Sequence, residues 1–286
     1  MTRKNIFEIL SKKYNIKEEI DKIIWLFKLK NITFTNPLNF MKQENLSIEE
    51  VVNKFLFVNW KQRNGCLNCE EIKDKLGFVK LTYKSLEERI ILLEYISNLI
   101  YLIQIKINPQ NNINFQFGIE YKLLCQNIDL LLEHINYEKC IFPREEKIIL
   151  VPKNPAAMAV AKISSQETAI AILKYHHASL KGQIEEKKKL LYSIAQEYEP
   201  LLSKGIDGFS DYFDKANNML NNLDIRHNNK QGQHKKDFVA NMKSEKLEKW
   251  YDELYQLLLF CVLIRDNKHR KDEISKFLKQ VNPEQK

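Results

Sequence analysis

Residues 209–234 read FSDYFDKANNMLNNLDIRHNNKQGQH, and the fold class follows from this stretch. Phe209, Tyr212, Phe213, Ala216, Met219, Leu220 and Leu223 recur at three- and four-residue spacing, so they share one face of a helix. Continuing the same count leads to Arg226 and His227. An arginine that prolongs an apolar stripe is aimed at a packed interface. A charge there is costly unless a partner meets it, either a carboxylate or a phosphate brought in as substrate. Gly232 then loosens the backbone, and His234 follows.

Working outward, the flanking segments are helical too. Upstream, residues 166–202 carry the longest helical signal and are expected to form one helix. Its seam is heptad-like, with Leu173, His177, Leu180, Ile184, Leu191, Ile194, Tyr198 and Leu201. The run Glu185-Glu186-Lys187-Lys188-Lys189 reads as its solvated face. His177 lies on the seam as a core or interface histidine, and His176 points to a different side. Pro200, Gly205 and Gly208 break the chain before the next helix.

Downstream, Phe238, Met242, Leu247, Trp250, Tyr251, Leu254, Leu257, Leu258, Cys261 and Val262 define a long amphipathic helix. Ile274, Phe277 and Leu278 define a short terminal one. The expectation is a mainly α protein whose residues 151–286 form an antiparallel helical bundle.

Residues 1–150 read as a separate α-rich domain with a few short strands, open as to role: sensor, inhibitor or structural cover. Helices are expected at Ile6–Lys13 and Ile16–Leu29, with Asn15 between them, and Ile20, Ile23, Ile24, Phe27 and Leu29 facing inward. Asn36-Pro37 marks a turn. Further helices start at Ser47-Ile48-Glu49-Glu50 and Ser85-Leu86-Glu87-Glu88, where acidic first turns complement the backbone dipole. The second runs to Lys106, a polar loop covers 108–114, and another helix spans Tyr121–Ile135. Strands are expected at Gly77–Tyr83, Glu146–Pro152 and Met158–Ile163.

Composition bounds the function. The chain has 286 residues with only seven glycines and seven prolines, as suits helices with few tight turns. A net charge of +8 is compatible with an anionic partner. Five cysteines and the absence of a secretory signal point to reduced thiols and a cytoplasmic protein. The longest apolar run, Ile90–Ile105, contains Glu94, Ser97, Asn98 and Gln104, so it reads as a core helix and not a membrane span. Cys66-x-x-Cys69 is half of a zinc site that Cys125, Cys140 or His134 would have to complete. The second close pair that zinc favours is missing, so no metal or other cofactor is expected. No phosphate-binding glycine loop and no helix-turn-helix are present.

The chemistry of Arg226, His227 and His234 favours RNA. A guanidinium is a permanently charged fork matched to phosphate, and an imidazole exchanges protons near neutral pH. Together they suffice for metal-free cleavage by attack of the 2′-hydroxyl on the adjacent phosphorus. The bland alternative has Arg226 capping helix carbonyls or paired with Glu248 or Asp252, with both histidines on the surface.

Arg226-His227 followed by His234, after one bundle helix and before another, resembles the signature of the HEPN superfamily. In that family an arginine and a polar neighbour precede a histidine. The resemblance covers roughly residues 165–286. The seven residues from Arg226 to His234 compare with four to six usual in the family. Many members are metal-independent RNases of toxin–antitoxin, abortive-infection and CRISPR defence systems. The resemblance therefore implies RNA as substrate, a homodimer with the two motifs meeting at its interface, an antitoxin or other defence-system protein as further partner, and Arg226, His227 and His234 as catalytic residues. It equally allows a non-catalytic RNA-binding or scaffold subunit of a defence complex.

Overall fold

The computed structural model describes residues 15–38, 41–78, 85–107 and 114–281. It is mainly α-helical, with a few short antiparallel strands. The chain divides into two compact units, 1–152 and 153–286.

In the first unit, α1 (Ile16–Lys28) starts at Asn15, whose side chain accepts from the Lys17 and Glu18 N–H groups. Asn15 is thus the N-cap of this helix. Ile20, Ile23, Leu26 and Phe27 are buried, while Ile24 and Leu29 are half-buried at the edge of that face. The helix expected at 6–13 lies outside the described residues.

β1 (Ile32–Thr35) is the centre of a small antiparallel sheet, flanked by β2 (Gln43–Leu46) and β3 (Phe115–Phe117). Sequence patterning missed all three. They are three or four residues long, and β2 is Gln-Glu-Asn-Leu with three exposed positions, so no alternation is visible. Ser47 and Glu50 form a capping box at α2 (Ile48–Val51). Gly77 closes α3 (Cys69–Leu76) in the left-handed region, at φ 78°. The rest of the strand expected from there to Tyr83 falls mostly outside the described residues.

α4 (Leu86–Lys106), capped by Ser85 and Glu88, explains the polar groups in the longest apolar run. β4 (Tyr137–Phe142) and β5 (Lys147–Pro152) form a hairpin after α5 (Ile119–His134). The outer edge of β5 meets α4. Asn98 Nδ2 donates to the Ile148 carbonyl at 2.8 Å, and the Ile148 N–H donates back to Asn98 Oδ1 at 2.8 Å. Glu94 Oε2 accepts from the Leu150 N–H at 2.7 Å. Two helix side chains therefore satisfy a strand edge that would otherwise be left unpaired. Among the described residues, no helix is long and apolar enough to cross a membrane.

The second unit is a helical bundle. It comprises α6 (Pro155–Lys162), α7 (Gln166–Lys174), α8 (Ile184–Lys204), α9 (Ser210–Asn222), α10 (Asp237–Ala240) and α11 (Ser244–Val281). Four expectations are corrected here. Residues 158–163, read as a strand, are the end of α6, with Ile163 as its C-cap. Asn154 caps it by accepting from the Ala157 N–H, and Pro155 occupies the first turn, where its missing N–H costs nothing.

The single helix expected at 166–202 is two helices. The chain leaves α7 at Tyr175, makes a 3₁₀ turn at Ala178–Leu180, and turns at Gly182, at φ 76°. Pro200 does not end α8, which continues to Lys204. The two downstream helices are one. α11 runs unbroken for 38 residues, and Ile274, Phe277 and Leu278 lie in its last turns.

The core draws on every long helix of the unit: Ile172 and Tyr175, Leu191, Ile194 and Tyr198, Phe213, Ala216 and Leu220, and Tyr251 to Val262. Lys187, from the run read as solvated, is buried. Its ammonium lies 2.9 Å from Glu248 and 2.8 Å from Asp252, beneath the Tyr175 ring at 5.1 Å. His177 is buried, with Nδ1 accepting from the Ser179 N–H. His176 packs its edge on Tyr175 and Tyr255, and burial lowers its pKa.

Candidate functional site

The central stretch leaves the helix before it reaches Arg226. α9 ends at Asn222, with the Leu223 N–H bonded to the Met219 carbonyl. Asp224 follows with φ 64°, a left-handed conformation usual for glycine at this place after a helix. What holds an aspartate there is Asn229. The Asp224 N–H donates to Asn229 Oδ1 at 2.8 Å, and the Asn229 N–H donates to Asp224 Oδ1 at 2.8 Å. Both side chains are buried. Asp224 also meets Lys188 at 2.8 Å and Lys230 at 3.7 Å.

Asn229 has a second function. Its Nδ2 donates to the His234 carbonyl at 3.1 Å, and its own carbonyl accepts from the Lys236 N–H at 2.8 Å. The loop from Asp224 to Lys236 is thereby folded back on itself. The result is that His227 and His234 sit with ring centroids 5.0 Å apart and planes tilted by 32°. The adjacency joins His234 to His227 and leaves the Arg226 guanidinium outside the pair. Both imidazoles are exposed.

Asn229→Ala would strip the partner from a buried N–H and release the His234 carbonyl. We expect a loss of about 1–3 kcal/mol in stability by urea unfolding. The two imidazoles should also separate, read as loss of mutual ring-current shifts in their NMR spectra. An unchanged pair of shifts would show that the clasp does not hold them.

Arg226 lies on the other side of this turn. Its N–H donates to the Leu220 carbonyl at 3.0 Å. The guanidinium reaches back along α9, donating to Asn217 Oδ1 and Asn221 Oδ1 at 3.2 Å and to Glu199 Oε2 at 2.5 Å. The Arg226 side chain is 17% exposed and that of Glu199 is 49% exposed. The carboxylate partner is therefore Glu199 of α8, in place of the expected Glu248 or Asp252, which Lys187 engages. Together Arg226 and Glu199 line a cleft of about 450 Å³ with Tyr192, Ala195 and Gln196.

Arg226 faces this cleft, while His227 and His234 face each other and solvent. Among the described residues, no hydrogen bond joins the guanidinium to either ring. Sequence reading located the arginine and both histidines but missed Glu199, Asp224 and Asn229. The Asn-rich composition of residues 217–229 was the available signal for a side-chain-held turn.

The Cys66-x-x-Cys69 pair takes a different role. Cys69 opens α3, its N–H bonded to Asn53 Oδ1 at 2.8 Å, and burial pushes its thiol up to about 12. Cys66 accepts a hydrogen bond from Lys75 at 3.2 Å. Cys140 is buried, its thiol pushed up to about 11, and His134 Nδ1 faces the Leu130 carbonyl. Among the described residues, no group of three or more His, Cys, Asp or Glu side chains is placed to hold a metal ion.

No family model, no curated protein and no solved structure matches this chain.

Proposed function

We propose that the C-terminal bundle is a metal-independent endoribonuclease, in keeping with its resemblance to the HEPN superfamily, and that it serves bacterial antiphage defence or a toxin–antitoxin pair. The observation that carries this reading is a half-buried guanidinium presented to an open cleft, next in sequence to one of two exposed imidazoles that pair with each other.

In this mechanism the scissile phosphate displaces Glu199 from Arg226. Glu199 is half-exposed and held there chiefly by the ion pair, so it is free to swing out. One imidazole takes the 2′-hydroxyl proton as the 2′-oxygen attacks phosphorus. The other, protonated, supplies a proton to the departing 5′-oxygen. Arg226 neutralises the crowded phosphorane. The products are a 2′,3′-cyclic phosphate and a 5′-hydroxyl. Because His227 and His234 lie across the turn from the Arg226 of their own chain, the imidazoles that act at this cleft are those of a second copy bringing its own motif to it.

The Glu199 pair itself favours a second reading, a non-catalytic RNA-binding or scaffold subunit in which Arg226 is a structural tie between α8 and α9. Glu199→Gln separates the two. As an enzyme, the protein should gain RNA affinity and turnover when the competing carboxylate is neutralised. As a scaffold, it should show no turnover and only a lower unfolding midpoint. Absence of cleavage in both wild type and variant would refute the nuclease proposal.

A further inference from the structure

The other end of α9 borders a second groove, of about 650 Å³. Its floor is apolar, built from Ile206, Phe209, Phe260, Leu263 and Ile264. Phe209 and Phe260 are each 42% exposed, and Tyr212 stands edge-on to Phe260 at 5.0 Å. The rim holds Lys268, Arg270 and Lys271 against a single carboxylate, Asp207. Arg270 is paired with Asp266 at 2.7 Å, and Lys268 and Lys271 have no carboxylate partner among the described residues. Asp272 stands one turn on from Lys268, about 40° from it around the helix, while it projects roughly 100° and Glu273 roughly 160° away from Lys271, which neither offsets.

From Asn267 to Val281 every residue of α11 is exposed. Ile274, Phe277, Leu278 and Val281 continue the groove-facing side. Such a stripe invites a second copy, and the charges oppose that occupant. An antiparallel pairing that matches Ile264 with Ile274 and Phe260 with Leu278 puts its two-fold near residue 269. Lys268, Arg270 and Lys271 of both copies then crowd together. A parallel pairing sets Lys271 against Lys271. The groove instead matches a ligand with flat apolar faces and a regularly spaced anionic backbone.

We propose that this groove binds single-stranded RNA, with bases against Phe209 and Phe260 and phosphates against Lys268 and Lys271. The inference rests on the RNA reading above and adds a subsite remote in sequence from Arg226. Stacking on exposed aromatics and charge along one edge are the two terms that hold unpaired strands.

The test is fluorescence anisotropy of a labelled oligouridylate of about twelve nucleotides, long enough to span such a site, titrated with the full chain at graded salt. Lys268→Glu/Lys271→Glu should weaken binding at least tenfold at low salt. Its log–log salt slope should be shallower by about 1.4, two phosphate contacts at about 0.7 each. Phe209→Ser and Phe260→Ser should each cost about tenfold with the slope unchanged, and circular dichroism verifies that both fold.

Wild-type binding that none of the groove variants changes would overturn the groove while leaving the RNA reading standing. Wild-type protein that does not bind the oligonucleotide would overturn both. If Ile274→Asp/Leu278→Asp turns a dimer into a monomer and the lysine variant binds RNA normally, the groove belongs to a second copy and the proposal falls.

Discussion

Arg226→Ala should reduce RNA cleavage by about 10²–10³-fold or more, the scale on which a preorganised charge at a developing anion acts. The fold should survive. The Arg226 backbone bond to Leu220 is independent of the side chain, and Asn217 retains its own bond to the Leu202 carbonyl at 2.7 Å. The ion pair lost with Glu199 is half open to water, so its contribution is about 1 kcal/mol. Arg226→Lys should recover only a small part of the activity. An ammonium keeps the charge but cannot span Asn217, Asn221 and a phosphate at once. Rates in EDTA, compared at matched thermal midpoints, separate this outcome from simple unfolding. Equal cleavage by wild type and Arg226→Ala would remove Arg226 from the site.

The largest stability effect should come from Lys187→Ala. Lys187 is 4% exposed and its ammonium holds Glu248 and Asp252 together. Glu248 also accepts from the Gly182 N–H at 3.0 Å, which fixes the turn between α7 and α8. Removing the cation leaves two carboxylates facing each other at the edge of the core. Breaking a buried pair from one side costs about 3–5 kcal/mol, and the partial exposure of Asp252 places this case near the lower end. Lys187→Met combined with Glu248→Gln should recover part of the loss, because the buried positions then carry no charge and the one carboxylate left without its cation, Asp252, is partly exposed.

The pH dependence follows from Glu248. Burial works against its charge, but the Gly182 N–H and Lys187 outweigh it and hold the carboxyl below its ordinary 4.5. A depressed carboxyl contributes stability that is complete above its unfolded pKa and is lost as pH falls through the lower folded value. The gap between wild type and Lys187→Ala should thus be full at neutral pH and shrink below about pH 4.5. A gap that widened with acid would contradict the pairing.

Helix identity was legible because periodicity reports burial directly. Ile20, Ile23 and Phe27, or Leu191, Ile194 and Tyr198, show a face in the sequence and show the same face in the fold. Continuity was not legible. Nothing local in Leu173–Ile184 forbids a helix except Gly182. Conversely, nothing in residues 263–273 but polarity suggested a break, and a polar stretch is what a helix overhanging its bundle should have.

The strands escaped for another reason. β1, β2 and β3 are too short to display a period of two. At the site, the arginine and histidines stood out by chemical type. Their neighbours did not, because Glu199 is 27 residues from Arg226 in the chain and meets it only through α8–α9 packing. Lys187 misled because burial of a charge depends on carboxylates more than sixty residues away.

The most direct test of the nuclease proposal uses two RNA oligonucleotides of one sequence, one all-ribose and one with 2′-deoxyribose at the cleaved position, incubated with purified protein in EDTA. The proposal predicts that the first is cut to 2′,3′-cyclic phosphate and 5′-hydroxyl ends and that the second stays intact at that bond. Cleavage of both, or of neither, would contradict it.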